Sequence, residues 1–260
     1  MEKSFNIARK LELVQPLEDV NIFNEMGSYW AEIADNNHTV QQIRFLKNQL
    51  KGGQYVLDLA CGTGRHTIPL RSEGYIIVGL DASVNLLRIG KQRDGGAMLV
   101  CGDMRFLPFN EATFSAAISM DTSFGYLSTE KEDVESLAEA RRVLKRDGVF
   151  IVDVFNRLNL TSKYQDKAPS IKTIEYPSFH LQQKRQLSGD GKLLCDTWTI
   201  HGKTDGETRV FKHIVRLYDY EQLEGFLEST GFDVKRVFGN YEGQDFSAYS
   251  SRLIVVAAAR

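Results

Sequence analysis

The sequence predicts an α/β protein with a doubly wound, mostly parallel sheet of seven strands and an inserted antiparallel unit. Apolar strand-like runs alternate with amphipathic helix-like runs from residue 39 to residue 155, which is typical of a parallel sheet covered by helices. Turn pairs and alternating strands then fill most of residues 156–216, and the helix–strand alternation resumes after Leu217. We therefore expect one domain, 1–260, that carries an antiparallel β lid at 156–216.

The elements of the first part follow from hydrophobic periodicity and capping residues. Apolar residues at three- and four-residue steps after Thr39 predict a helix that a glycine pair ends. Thr129 and Glu132 offer a capping box for the longest helix, whose apolar face is expected to include Val134 and Ala138. The predicted helices are Thr39–Leu50, Gly64–Glu73, Ser83–Arg93 and Thr129–Arg146, and the predicted strands are Tyr55–Leu59, Tyr75–Leu80, Ala97–Cys101, Phe114–Met120 and Val149–Phe155.

The sequence pattern changes after residue 155. Residues 156–216 give no convincing helix beyond the first few positions, and the turns Gly189–Gly191 and Asp205–Gly206 are hairpin signals. Four antiparallel strands are predicted at Ile171–Tyr176, Phe179–Leu187, Leu193–His201 and Thr208–Leu217, followed by a helix at Tyr220–Thr230 and strands at Phe232–Phe238 and Arg252–Ala258.

Composition is that of an ordinary globular protein, with 42% hydrophobic, 25% charged and 10% aromatic residues. The net charge of −2 gives no signal for nucleic acid or for an anionic membrane. The three cysteines, Cys61, Cys101 and Cys195, show no CxxC spacing, which indicates a reducing compartment. Met1–Phe5 lacks the apolar core of a signal peptide, and no run has the length of a membrane helix, so we expect a cytoplasmic protein.

Charge is concentrated in the insertion. Residues 156–216 contain eleven Lys and Arg against six Asp and Glu, and three of the five histidines also lie there. A solvated hairpin surface and a lid that faces an anionic substrate both explain this bias. No metal site is expected, because no His/Cys pair has the spacing of metal ligands.

The turn after the first strand carries the first chemical signal. Asp58–Gly64 reads DLACGTG, and its glycines let the backbone approach a ligand without a Cβ in the way. A dinucleotide fingerprint would need a third glycine where Thr67 stands. Asp58 would also repel a phosphate, whereas it suits a cationic amino group. This turn therefore predicts a ligand with an ammonium group.

Two further strand ends supply carboxylates. Asp81 ends the second strand, where it can accept hydrogen bonds from two ribose hydroxyls. Asp103 follows the third strand and can accept from an adenine amine, while Met104 offers a backbone N–H and an apolar surface for the ring. An amino acid, a ribose and an adenine in this order describe S-adenosylmethionine.

These motifs resemble those of class I S-adenosylmethionine-dependent methyltransferases. Asp58–Gly64, Gly79–Ser83 and Cys101–Met104 match successive motifs of that family, and Arg142–Val149 resembles its helix–strand corner, which usually reads RVLKPGG. The loop Met120–Tyr126 is similar to the SFGYF loop of small-molecule enzymes and differs from the NPPY loop of nucleic-acid base methyltransferases. The resemblance implies a Rossmann-like methyltransferase fold.

Glycine N-methyltransferase and sugar-amine N,N-dimethyltransferases look similar in these motifs and in the antiparallel strands over the site. The resemblance implies a small-molecule acceptor, methylated at nitrogen or oxygen and of anionic character if the lid charge faces it. It also implies the site residues. Those at the cofactor are Tyr29, Trp30, Asp58, Ala60, Cys61, Gly62, Gly64, Asp81, Ala82, Asp103, Met104 and Met120, and those at the acceptor are Phe124 and Tyr126.

The pattern leaves several points open. An RNA or protein methyltransferase, or a non-catalytic protein that binds S-adenosylmethionine, is compatible with the same donor motifs. Net acidity and the loop chemistry argue against nucleic acid, and the aromatic loop argues against loss of catalysis. The expected oligomeric state is a monomer or a homodimer. No catalytic base is singled out among the candidates His38, His66, His180, His201, His213, Asp121 and Tyr126.

Overall fold

The computed structural model describes residues 21–35 and 38–260, so the expectation about Met1–Phe5 lies outside the described residues. The helices are α1 (Asn21–Met26), α2 (Ser28–Ala34), α3 (Thr39–Gln49), α4 (Thr67–Ser72), α5 (Val84–Arg93), α6 (Glu130–Val143), α7 (Arg157–Tyr164) and α8 (Tyr220–Ser229). The strands are β1 (Tyr55–Leu59), β2 (Ile76–Asp81), β3 (Met98–Cys101), β4 (Phe114–Ser119), β5 (Leu144–Phe155), β6 (Ser170–Glu175), β7 (Phe179–Leu187), β8 (Leu193–Gly202), β9 (Thr208–Arg216), β10 (Phe232–Phe238) and β11 (Arg252–Ala259). Within the described part of the chain, none of these helices combines the length and the apolarity that a membrane crossing requires.

Seven strands form the main sheet in the order β10-β11-β5-β4-β1-β2-β3. β5, β4, β1, β2 and β3 are parallel, and β11 pairs antiparallel with both β5 and β10. Neighbouring residues of β1 point to opposite faces, so Leu57 joins the core under α6 and α8 while Val56 joins the core under α3 and α4. The predicted fold class is confirmed.

A second sheet of four antiparallel strands, β6-β7-β8-β9, is called the lid sheet here. Its inner face is apolar at one end, where Phe179, Trp198 and Phe211 pack against Met26 and Ile33 of the short helices α1 and α2. The lid sheet and the N-terminal helices therefore enclose a space beside the carboxyl ends of the main strands.

The helix α4, at Thr67–Ser72, is shorter than the predicted Gly64–Glu73, and α7 is a full helix where only the first few positions were expected to be helical. Two details of α6 also differ from the sequence prediction. α6 ends at Val143 and not at Arg146, because Leu144 already pairs with Phe114 and the chain then bulges before Val149 pairs with Ala116. The buried face of α6 is also rotated from the predicted one: Ala138 is exposed, and the carboxyl-bearing Asp133 is buried in its place.

Candidate active site

A cleft of about 750 Å³ lies over the carboxyl ends of β1, β2, β3 and β4. This is the edge at which open parallel sheets bind ligands. We call it the donor cleft. Eight of the predicted site residues line it: Trp30, Ala60, Gly62, Asp81, Ala82, Asp103, Met104 and Tyr126.

The turn between β1 and α4 follows the floor of this cleft. Ala60, Gly62 and Gly64 have φ angles of 55°, 56° and 76°, a region that favours glycine. The turn sits tightly on β2, because a Cβ at Gly79 would lie only 2.6 Å from the sulfur of Cys61. Cys61 is thus a packing residue, and its neighbours on either side present backbone to the cleft.

Asp81 is held in a fixed orientation at the end of β2. Its Oδ2 accepts from the Gly62 N–H at 2.8 Å, and its Oδ1 accepts from the Ser83 N–H at 2.7 Å. Burial raises the pKa of Asp81, and these two donors oppose that rise. Each carboxylate oxygen keeps a further lone pair, so the group fits a ligand that offers two hydroxyls side by side.

Asp103 is less free than the sequence suggests. Arg105 donates to both of its oxygens, including a contact of 2.7 Å from a terminal guanidinium nitrogen to Oδ2, and Arg105 also contacts Glu132. The Arg105 backbone N–H also donates to Oδ1 at 2.8 Å, so these donors leave about one of the four lone-pair positions of the carboxylate for an exocyclic amine.

The structure does not bring six predicted residues to the lining of the donor cleft. The Asp58 carboxyl lies beneath the turn and accepts from the Thr67 hydroxyl at 2.7 Å. Tyr29 packs edge-on against Phe179 of the lid sheet, and Phe124 is buried in the core beside Tyr218. Cys61, Gly64 and Met120 are buried as well.

A second space of about 800 Å³, the acceptor cavity, lies under the lid sheet. Its walls are aromatic, with Trp30, Tyr176 and Trp198 among them, and its polar groups come mostly from the lid sheet. Four residues line both spaces, and the two therefore meet at Trp30, Asp121, Thr122 and Tyr126. The residues that sequence reasoning missed here are Phe23, Thr122, Tyr176, Gln183, Arg185, Asp196 and Trp198.

The loop after β4 is strained at this junction. Asp121 and Thr122 have φ angles of 57° and 65°, which residues with a Cβ rarely adopt. The loop is fixed from below, because Asp153 accepts from the Asp121 N–H and Arg252 donates to the Thr122 hydroxyl. Although burial opposes it, Arg252 and Arg65 hold the pKa of Asp121 below its usual range.

The same loop is tied to the lid sheet. The Arg216 N–H donates to the Gly125 carbonyl at 2.8 Å, and a Cβ at Gly125 would lie 2.4 Å from the Arg216 carbonyl oxygen. Arg216 also forms a 2.5 Å ion pair with the buried Asp133 of α6. The end of β9 therefore anchors the loop after β4 to the core.

The sequence matches one family model and several known proteins. Residues 56–148 match the family model of a methyltransferase domain. An uncharacterised protein of Methanocaldococcus jannaschii, MJ1252, is 31% identical over 84% of this chain and 77% of its own length. YqeM of Bacillus subtilis, provisionally named a methyltransferase, is 26% identical over 91% of this chain and 96% of its own length. The glycine/sarcosine N-methyltransferase of Parasynechococcus marenigrum is 39% identical over 48% of this chain and 47% of its own length.

Solved structures define the class of fold. The CcbJ methyltransferase from Streptomyces caelestis superposes with a TM-score of 0.79 over 95% of this chain and 99% of its own, at 18% identity. CalS10, an amino pentose methyltransferase from Micromonospora echinaspora solved with S-adenosylmethionine bound, gives a TM-score of 0.63 over 97% and 100%, at 17% identity. The fold is thus that of an α/β methyltransferase. Taken with the sequence matches, the chain belongs to the S-adenosylmethionine-dependent methyltransferases.

Proposed function

We propose that the protein binds S-adenosylmethionine in the donor cleft and transfers its methyl group to a nitrogen or oxygen of a small molecule in the acceptor cavity. One observation carries this proposal: the two spaces share a wall at Trp30, Asp121, Thr122 and Tyr126. A donor and an acceptor that occupy them meet at that wall. Methyl transfer needs such alignment and the exclusion of water.

The residues of the donor cleft fit this cofactor. The two orienting N–H donors leave the Asp81 carboxylate open to ribose hydroxyls, and the positive-φ turn at Gly62 allows the methionyl part to approach backbone. Met104 lines the cleft next to Asp103, where an adenine ring would lie. When bound, the cofactor supplies a methyl group activated by a positive sulfur, and the protein supplies its position.

The acceptor is proposed to be uncharged. The expectation of an anionic acceptor rests on the basic lid, but most of those charges face solvent, and Arg185, which does line the acceptor cavity, is neutralised by Asp196. Three of the eleven basic residues of 156–216 are half-buried, and each is paired with a carboxylate: Arg157 with Asp219, Arg185 with Asp196, and Arg216 with Asp133. The other eight are exposed to solvent: Lys163, Lys167, Lys172, Lys184, Lys192, Lys203, Arg209 and Lys212.

The aromatic walls support an uncharged acceptor of moderate size. Trp30, Tyr176 and Trp198 line the cavity, and aromatic surfaces suit the C–H surface of a sugar or an aromatic ring. The amino pentose acceptor in the name of CalS10 belongs to that size class. An RNA or a protein segment would need an open groove, which the cover of the lid sheet disfavours.

Calorimetric titration with S-adenosylhomocysteine tests the donor half of the proposal. Asp81→Asn should weaken binding by roughly 100-fold, since charge-assisted hydrogen bonds are worth about 1.5–3 kcal/mol each. Asp233→Asn, which alters an exposed carboxylate on β10, should bind like wild type. Equal affinity in wild type and Asp81→Asn would refute the placement of the cofactor.

Transfer of tritium from labelled S-adenosylmethionine to small molecules of a cell extract tests the acceptor half. We expect the label in a fraction below the size of RNA and protein. Label confined to macromolecules would overturn the small-molecule proposal while leaving the donor site intact.

A further inference from the structure

A row of polar residues crosses the inner face of the lid sheet. The strand register places Arg185 of β7 opposite Asp196 of β8, and Asp196 opposite His213 of β9. At the end of this row the Nδ1 of His213 lies 3.2 Å from the hydroxyl of Tyr126. Tyr126 is one of the residues that line both the donor cleft and the acceptor cavity, so the row ends at the wall that the two spaces share.

The carboxylate of Asp196 is firmly held. Arg185 donates its Nε to Oδ1 at 2.9 Å and a terminal nitrogen to Oδ2 at 2.6 Å, and Gln183 donates to Oδ2 at 3.1 Å. The Asp196 side chain is only 1% exposed. An ion pair within the lid sheet therefore holds a negative group at a defined position beside His213.

The second nitrogen of His213 identifies the tautomer. Nε2 is buried, has no hydrogen-bond partner within the described residues, and lies 4.0 Å from Oδ2 of Asp196. A carboxylate at that distance favours a proton on Nε2 and disfavours a lone pair there. Nδ1 then carries the lone pair and accepts from the Tyr126 hydroxyl.

We propose that Tyr126, His213 and Asp196 form a proton relay that removes the proton of a hydroxyl acceptor during methyl transfer; this rests on the proposed function. As the acceptor oxygen bonds to the methyl carbon, the carbon–sulfur bond breaks and its electron pair stays on sulfur. The acceptor proton moves to the Tyr126 oxygen, and the Tyr126 proton moves to Nδ1 of His213. The resulting imidazolium presents its Nε2–H to Asp196, and it later releases one proton to solvent.

The relay favours a hydroxyl over an amine. A neutral amine can attack and keep its proton, because the methylated product is a stable ammonium. A methylated hydroxyl must lose its proton at once, because the oxonium is a very strong acid. A built-in proton acceptor at the shared wall is therefore useful to an oxygen acceptor.

Electrostatics at the relay agree with this direction of transfer. Burial lowers the pKa of His213 to about 4, while Asp196 raises it and Arg185 lowers it, so the imidazole is neutral near pH 7 and able to accept. Burial raises the pKa of Tyr126, which keeps the phenol protonated before the reaction. The groups that face the imidazole from the packed elements are Phe23, Tyr126, Arg185, Asp196 and Trp198.

Nitrogen NMR of ¹⁵N-histidine-labelled protein with S-adenosylhomocysteine bound tests the geometry without any acceptor. We expect His213 in the Nε2–H tautomer, and a shift of its Nδ1 resonance in Tyr126→Phe but not in the distant Tyr220→Phe. An Nδ1–H tautomer, or an Nδ1 resonance that Tyr126→Phe leaves unchanged, would overturn the relay.

Steady-state kinetics with catechol and benzylamine as probes test the chemistry. Tyr126→Phe and His213→Asn should each lower kcat for catechol by about 100-fold or more, with KM within about threefold of wild type. His180→Asn alters an exposed lid histidine that is paired with Glu175, and it should leave kcat for catechol at the wild-type value. The proposal would be refuted if wild type methylates benzylamine but not catechol, or if Tyr126→Phe turns over catechol at the wild-type rate. Loss of S-adenosylhomocysteine binding in wild type would instead count against the proposed function.

Discussion

The ion pair of Asp153 and Arg252 beneath the loop after β4 allows a quantitative prediction. Asp153 accepts from Arg252 at 2.7 Å through Oδ1, and through Oδ2 from the Asp121 N–H at 2.9 Å and the Tyr241 hydroxyl at 2.6 Å. Its side chain is 0% exposed, and that of Arg252 is 10% exposed. Asp153→Asn removes the negative charge and turns one acceptor into a donor that faces other donors.

The expected cost is about 4 kcal/mol of unfolding free energy, because breaking one half of a buried ion pair costs about 3–5 kcal/mol. Denaturant unfolding at pH 7 measures this loss. The double variant Asp153→Asn/Arg252→Met should lose clearly less than the sum of the two single variants, since no uncompensated charge remains. Asp233→Asn, which alters an exposed ion pair, should stay within about 0.5 kcal/mol of wild type. A loss below about 1 kcal/mol in Asp153→Asn would refute the role given to this pair.

Two further predictions concern a glycine and a histidine. Gly125→Ala should destabilise the protein by about 2 kcal/mol more than Gly243→Ala: both positions have positive φ, but only at Gly125 does a Cβ strike the carbonyl of Arg216. Equal losses in denaturant melts would show that the contact between loop and lid is not tight. Burial lowers the pKa of His66 to about 3, so its contribution to stability is present above about pH 6.5 and is lost as the pH falls toward 3. Wild type should therefore lose about 2 kcal/mol more than His66→Asn between pH 6.5 and pH 5, and parallel curves would contradict this. The comparison with the variant is needed because burial raises the pKa of Asp58 to about 7. Both proteins therefore gain stability from Asp58 over the same fall in pH, and the difference between them reports His66.

The position of the strand-end carboxylates in the donor cleft could be predicted from the sequence because its determinants are local. Asp81 is the last residue of β2 and Asp103 lies two residues after β3, and parallel strands place such residues at one edge of the sheet. The capping box of Thr129 and Glu132 is likewise formed by residues three positions apart. Asp58 was the exception, since its burial beneath the turn depends on the hydroxyl of Thr67, which sequence spacing alone does not reveal.

The acceptor half depends on contacts between distant residues. Asp133 is buried on α6 because Arg216 and Tyr218 reach it from the far end of the lid sheet, and the helical period alone predicts a different face. His213 was one of three insertion histidines with nothing to distinguish it. The sequence does carry one signal: His213 lies two residues from each of the apolar residues Phe211 and Val215, so it shares their inward face of the strand.

The donor cleft and the acceptor cavity are lined by different parts of the chain, and this bears on how acceptor specificity could be changed. Most residues of the donor cleft fall within 56–148, the segment that matches the general methyltransferase domain. Most residues of the acceptor cavity fall outside it, on α2 and on the strands of the lid sheet. Under the proposed function, substitutions in the walls of the acceptor cavity would change the substrate and leave the donor cleft intact. Grafting the lid sheet of a relative onto this core is accordingly a rational route to new acceptor specificity, provided that the Arg216–Asp133 anchor is kept.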